Sequence, residues 1–286
     1  LASLSFSQIR SYKPYWSAST QLSSSYFLSD LGGKNGNGTN DFLDLDLNKT
    51  RFSIGSAIHY NLPMGMSFGL GANYIRLAAD DAETQSSRTP RMIRVFTNVT
   101  EIYAQVCYTL PKKTGYAAGI YFFGGSGIIH YQPKATWNGT TYNLRPLGTE
   151  GQTADPTREI YNDFSPLLAF GIGKKFYFYN GMSLAVDFNF RKSFTDYLDD
   201  VSTVYYDNNS ILNSSGVAAA HFANPSSDPR MGREGNIRGN PDRNDNYFLI
   251  GCQFEFPLKQ NRRRGRSNIF DAYGMHWLDK NGKKLN

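Results

Sequence analysis

The segment Met182–Arg191, MSLAVDFNFR, constrains the fold of this chain more than any other. Met182, Leu184, Val186, Phe188 and Phe190 alternate with Ser183, Ala185, Asp187, Asn189 and Arg191. Successive strand residues point to opposite faces, so one face is apolar and the other polar and charged. The pattern returns along most of the chain in segments of roughly ten residues, the length of a tilted membrane strand. A chain of such segments closes most naturally into a barrel that sits in lipid.

Composition agrees with alternation rather than with apolar spans. Mean hydropathy is −0.47, and no run approaches the roughly 18 apolar residues of a membrane helix. Membrane barrels pass for soluble proteins on this measure, because only alternate residues meet lipid. The 19 Tyr and 20 Phe suit interfacial aromatic girdles, although a large sandwich core would also use them. Leu1–Arg10 lacks the basic and apolar regions of an export signal, so the numbered chain reads as a mature one.

Eight strands are expected: Tyr15–Phe27, Arg51–Leu62, Met66–Leu77, Val99–Leu110, Tyr116–Tyr131, Ser165–Tyr177, Met182–Arg191 and Tyr247–Leu258. In the fifth, Gly124-Gly125 suggests a bulge or bend. The connections are short after the second, fourth and sixth strands, where Asn61–Gly65, Pro111–Gly115 and Asn180-Gly181 read as turns. They are long and polar after the others; the longest runs from about Thr195 to Asn246. Short periplasmic turns and long external loops are the habit of outer-membrane barrels. On that reading residues 1–14 are a periplasmic segment, 15–258 the barrel and 259–286 a periplasmic tail, with both termini on the periplasmic side. The fold class is therefore all-β: an eight-stranded antiparallel transmembrane up-and-down barrel with long external loops.

The rival is a soluble lipocalin-like barrel with an apolar lumen. The polar face disfavours it, since it carries Arg51, His59, Glu101, Gln105, Asp187, Asn189, Arg191, Gln253 and Glu255. Such charges pair inside a narrow barrel, whereas the Phe-rich face would not persist in water. Arg51, Glu101, Gln105, Asp187, Arg191 and Glu255 are thus a candidate lumen network, with Asp187 and Glu255 facing Arg51, Arg191 or Lys175 as possible partners. Eight strands leave an interior just wide enough for side chains, which favours a plug over a channel. Cys107 falls on the polar face and Cys252 on the apolar one, which argues against a disulfide between them.

No catalytic constellation emerges. His59, His130, His221 and His276 lack metal-ligand spacing. Gly124-Gly125-Ser126-Gly127 fails the nucleophile-elbow pattern at Ile128 and precedes no helix. The acidic run Asp41–Asp46 could hold calcium but lacks the glycine and terminal glutamate of an EF-hand loop, so a solvated loop is preferred. No enzyme activity, cofactor, metal or nucleic-acid partner is expected.

The tail stands apart. Residues 259–286 hold eight basic and two acidic residues, which accounts for the whole net charge of +6; the other 258 residues carry 22 of each sign. Three readings are open: a disordered basic tail, attraction to an anionic membrane, or docking onto a periplasmic protein. The aromatic and apolar groups in IFDAYGMHWL favour docking, with Arg262, Arg263, Arg264, Arg266, Phe270, Tyr273 and Trp277 as the contact set.

Five segments carry a family resemblance: Tyr26–Gly33 (YFLSDLGG), Asn143–Gln152 (NLRPLGTEGQ), Arg191–Asp207 (RKSFTDYLDDVSTVYYD), Arg238-Gly239-Asn240-Pro241, and the closing strand Asp245–Phe256. Together they resemble the PorG-type outer-membrane proteins of the type IX secretion and gliding machinery of Bacteroidota, over most of residues 15–258. The resemblance implies an integral outer-membrane barrel, without enzymatic activity, that ties the periplasmic ring of PorK/GldK-type lipoprotein and PorN/GldN-type protein to the membrane. The tail has no counterpart in that resemblance. Within the external loops, Asp196, Asp199 and Asp200 could pair with Arg145 or Arg158. A small outer-membrane channel and a surface-binding barrel working through its loops are the alternatives.

Overall fold

A computed structural model describes residues 14–29, 31, 50–81, 89–111, 119–178, 181–228 and 230–258. Its strands are β1 (Tyr15–Leu28), β2 (Arg51–Asn61), β3 (Met66–Asp80), β4 (Arg94–Thr109), β5 (Ile120–Trp137), β6 (Thr140–Asn143), β7 (Phe164–Tyr177), β8 (Ser183–Ser193) and β9 (Asn246–Pro257). One helix, α1 (Asn208–Ala223), lies between β8 and β9. Each long strand pairs antiparallel with the next, β5 pairs with β7, and β9 returns to β1, so eight strands close a ring. The short β6 pairs with β5 alone and prolongs it as a hairpin. Closure satisfies every strand's backbone, which a strand crossing lipid requires.

The wall has two faces of opposite character. Outward positions are large and apolar: Leu22 and Leu70 are each 63% exposed, and Phe52, Ile58, Ile102, Ile128 and Phe170 are exposed with them. Inward neighbours are buried and mostly polar: Ser17, Ser19, Ser53, Asn73, Glu101, Asp187 and Arg191. On β3 the apolar outward run extends from Met66 to Tyr74. Eight residue steps at a tilt near 40° give a band roughly 20 Å tall, close to the apolar belt of a membrane barrel. A continuous belt of this size is stable only against lipid. Aromatic pairs reinforce it across strands, such as Trp16–Tyr60 at 4.9 Å and Tyr26–Phe248 at 4.7 Å. No helix among the described residues is long and apolar enough to cross a membrane; the strands make the crossing.

The connections alternate in length as the sequence indicates. Leu62 N–H donates to Met66 O and Phe178 N–H to Met182 O, each at 2.8 Å, at the end where Leu258 N–H donates to Trp16 O at 2.8 Å, so the start of β1 and the end of β9 lie at the short-connection end. At the turn after β2, Gly65 has a φ of 85° and packs so close to Thr109 O that a Cβ would lie 2.3 Å from it. Cys107 faces the lumen and Cys252 the outside.

Two expectations need correction. The register of β5 against β4 and β7 runs without a break through Gly124 and Gly125, so there is no bulge. Glycine serves close approach instead: a Cβ on Gly125 would sit 2.2 Å from Ala104 O of β4. Strands β3, β4 and β5 also run beyond the expected ends, to Asp80, back to Arg94, and on to Trp137. The longest loop, for which the sequence reading named no element, contains α1. Asp207 caps that helix by accepting the Ser210 N–H at 2.8 Å, and Gly216, at a φ of 83°, interrupts it.

Candidate functional site

The lumen is filled by two layers of paired charge. In the outer layer, Arg191 of β8 reaches across to Glu101 of β4, with Nη2 3.1 Å from Oε1 and Nε 3.2 Å from both carboxylate oxygens. Glu101 also accepts from Asn73 and, at 2.9 Å, from the Tyr247 hydroxyl. Arg191 Nη1 donates to Asn189 Oδ1 at 3.2 Å, and its guanidinium lies 5.4 Å from the Tyr103 ring. The side chains of Glu101 and Arg191 are 0% and 1% exposed. In the inner layer, near the short turns, Lys175 Nζ lies 2.7 Å from Glu255 Oε2. Ser17 donates to Glu255 Oε1 at 2.5 Å, and Ser19 links His59 and Gln253 at 2.8 and 2.7 Å.

Between these layers Asp187 accepts from Gln21 at 3.1 Å, Tyr121 at 2.7 Å, and Asn189. Inward glycines make room for the large side chains. A Cβ on Gly71 would lie 2.6 Å from the Tyr103 hydroxyl, and one on Gly173 would lie 2.5 Å from Tyr121 Cζ. Small residues under large ones are how a narrow barrel fills its taper.

The structure sorts the candidate lumen residues. Glu101, Arg191, Asp187 and Glu255 lie inside and hydrogen-bonded, as described. Arg51 stands at the first position of β2 and donates to the adjacent Thr50 O at 3.0 Å, outside the network. Gln105 is an inward residue packed near Gly69 and Gly125. Of the pairings considered, Lys175–Glu255 forms; Asp187 is held by neutral donors because Arg191 is drawn to Glu101. Tyr103, Tyr121 and Tyr247 escaped the sequence reading. Their inward parity was the available signal, masked by the expectation that aromatics face lipid.

At the end opposite the short turns, the described parts of the long loops fold into one cap. At its centre Glu150 accepts from the backbone N–H of Ser202 at 2.9 Å, from the Thr203 hydroxyl at 2.7 Å and from Arg238 Nη1 at 3.0 Å. Arg238 Nη1 also donates to Asp200 O at 2.6 Å, and its Nη2 lies 4.0 Å from Asp200 Oδ2. Asp200 accepts from Thr149 at 2.5 Å and Tyr161 at 2.6 Å. Arg91 donates to Arg238 O at 2.5 Å and lies 2.8 Å from Asp81, while Asp245 accepts from the Leu198 N–H at 2.9 Å. Burial pushes the Asp200 carboxyl up to about 6, against the pull of Arg238, Thr149 and Tyr161. Burial and the adjacent Asp200 together raise the Tyr161 phenol well above its ordinary value.

An apolar layer seals the cap onto the barrel: Leu31, Ala79, Ile93, Val95, Ala135, Leu144, Val201 and Phe222. The expected pairing of Asp196, Asp199 and Asp200 with Arg145 or Arg158 is replaced. Arg145 lies 4.0 Å from Asp163, Arg158 lies 3.8 Å from Asp155, and Asp200 meets Arg238. The tail residues Arg262, Arg263, Arg264, Arg266, Phe270, Tyr273 and Trp277 and the run Asp41–Asp46 lie outside the described residues. Among the described residues no group of acidic, His and Cys side chains is placed to hold a metal.

No family model matches the chain, and no curated protein matches it. Solved barrels do match in fold. Neisserial surface protein A matches 86% of this chain and 100% of its own length, at 8% identity and a TM-score of 0.40. Ail of Yersinia pestis, solved with the heparin analogue sucrose octasulfate, matches 86% and 100%, at 9% and 0.36. The N-terminal β-barrel domain of Pseudomonas aeruginosa OprF matches 85% and 98%, at 10% and 0.34.

Proposed function

We propose that this chain is a non-enzymatic, non-conducting integral protein of the bacterial outer membrane that anchors the periplasmic ring of a type IX secretion machinery. The observation that carries the reading is where the family-like segments meet. Thr149 and Glu150 of the second segment, Asp200 and Thr203 of the third, and Arg238 of the fourth form one buried ion network. Asp245, which opens the fifth, accepts from Leu198 in the same cap, and Leu31 of the first packs in its apolar layer. Segments far apart in sequence thus build one unit, which supports reading the resemblance as a whole.

The lipid-facing belt and paired lumen supply an anchor rather than a passage. With long loops outside, as outer-membrane barrels arrange them, the chain's ends fall in the periplasm and residues 259–286 are the arm that grips the ring. Deleting residues 259–286 and pulling down envelope partners tests the attachment. The expected result is a folded barrel that no longer co-purifies the GldK/GldN-type ring; undiminished co-purification refutes tail docking.

A surface-binding barrel is the second reading. It is favoured by the cap's exposed Val217 and Ile237, the latter 80% exposed. Changing Ile237 and Val217 to Ser should leave secretion intact under the anchor reading and abolish a surface interaction under the other.

A further inference from the structure

The outward faces of β3, β4 and β5 carry a basic ledge immediately above the apolar belt. Arg76 is the first outward residue beyond Tyr74 on β3. Its guanidinium lies 4.4 Å from the centroid of the Phe96 ring. Lys134 of β5 stands directly opposite Phe96, and Asn98 directly opposite Arg76 and Gln132. Arg94 is two residues beyond Phe96, with a side chain 60% exposed, and lies 3.3 Å from Asp80. Asp80 is the one carboxylate at an outward strand position of β2 to β5 among the described residues, and it offsets Arg94. Arg76 and Lys134 have no carboxylate within ion-pair distance among the described residues, and Arg76 Nε has no hydrogen-bond partner there. Below them Leu70, Tyr74, Ile102 and Ile128 present exposed apolar surface.

This arrangement, with Arg76 level with the two amides, Lys134 one step above them and a greasy wall below, matches the groups of a phosphorylated glycolipid. Guanidinium and ammonium groups recognise phosphate. The amides of Asn98 and Gln132 suit sugar hydroxyls, and the belt suits acyl chains. A cation kept at this level by stacking on an aromatic ring, with no anion among the described residues to neutralise it, sits where membrane phosphates lie.

We propose that the wall formed by β3, β4 and β5 binds a phosphorylated glycolipid of the outer leaflet, with Arg76 and Lys134 holding a headgroup phosphate. The site rests on the outer-membrane reading and on the long loops facing outward, but not on the ring attachment. Native mass spectrometry of the full chain in detergent micelles tests it, with diphosphorylated lipid A as the probe. The wild-type chain should retain lipid A. The R76Q/K134Q variant should bind at least tenfold more weakly with an unchanged circular dichroism spectrum, while K192Q, on the β8 wall, should bind as wild type. Lipid A stripped of its phosphates should bind no better than phosphatidylethanolamine. Equal binding by R76Q/K134Q, equal binding of the stripped lipid, or full competition by inorganic phosphate overturns the proposal. If lipid A binding fails while the ring still co-purifies, this inference alone falls.

Discussion

Arg191 carries a full charge into a lumen packed with side chains, and only its partners make that tolerable. A buried pair adds little against apolar residues of the same shape, but breaking it strands a charge, at about 3–5 kcal/mol. R191M should therefore cost about that much in a urea titration of the micelle-embedded barrel. The double variant E101Q/R191M should recover most of the loss. If R191M costs under about 1 kcal/mol, Glu101 is not held as described. Gly173 makes a steric case at the same scale. A Cβ there would meet Tyr121, so G173V should impair folding and Y121L should rescue it, read as recovered folded yield. The parity that put Glu101, Asp187, Arg191 and Glu255 inside was legible in the sequence, because alternation fixes the face of each residue. The partners were not. Choosing Glu101 rather than Asp187 for Arg191 depends on how strands three apart in the ring stagger across the lumen, which alternation does not encode.

At the scale of elements, strands were legible where lipid bounds them. The start of β3 and the end of β7 coincide with the expected residues, because the apolar face there begins or ends against a short connection; the start of β2 coincides too, where alternation begins at Phe52. The far ends of β3, β4 and β5 were not legible. On β3 period two disappears there, since Leu77, Ala78, Ala79 and Asp80 are all buried, and the apolar layer of the cap packs on the inward residues Ala79, Val95 and Ala135. Helix α1 was hidden by its own composition, since Asn208, Asn209, Ser210, Asn213, Ser214 and Ser215 are weak helix formers. The Asp207 cap followed by VAAAHF was the signal for it.

The cap should respond to pH. Its folded state holds the Asp200 proton up to about pH 6, whereas an opened loop releases it near 3.8. The folded cap therefore binds more protons than the opened one between these values, and its stability falls as pH rises from about 4 through 6, by up to about 3 kcal/mol. After correction for intrinsic rates, hydrogen exchange should show stronger protection of residues 149–163 at pH 5 than at pH 7. D200N should remove the difference. Protection that rises with pH would contradict the assignment.

The whole molecule is a wall that belongs in lipid around a core that belongs in a soluble protein. Its outward residues are apolar where an ordinary surface is polar, and its interior is charged where an ordinary core is apolar. Each inversion requires the other. Lipid contact releases the apolar residues from the interior, and a closed ring of eight strands gives the charges a space narrow enough to pair in. The loops then close one mouth, with Glu150, Asp200 and Arg238 as buried as Glu101 and Arg191 below them. The paired charges of the described lumen are what the proposed anchor, and not a channel, calls for. Planar-bilayer recording of the purified full chain tests that claim most directly. The account predicts insertion into the bilayer with no discrete conductance steps at neutral pH; stable unitary steps from the wild-type chain would contradict it.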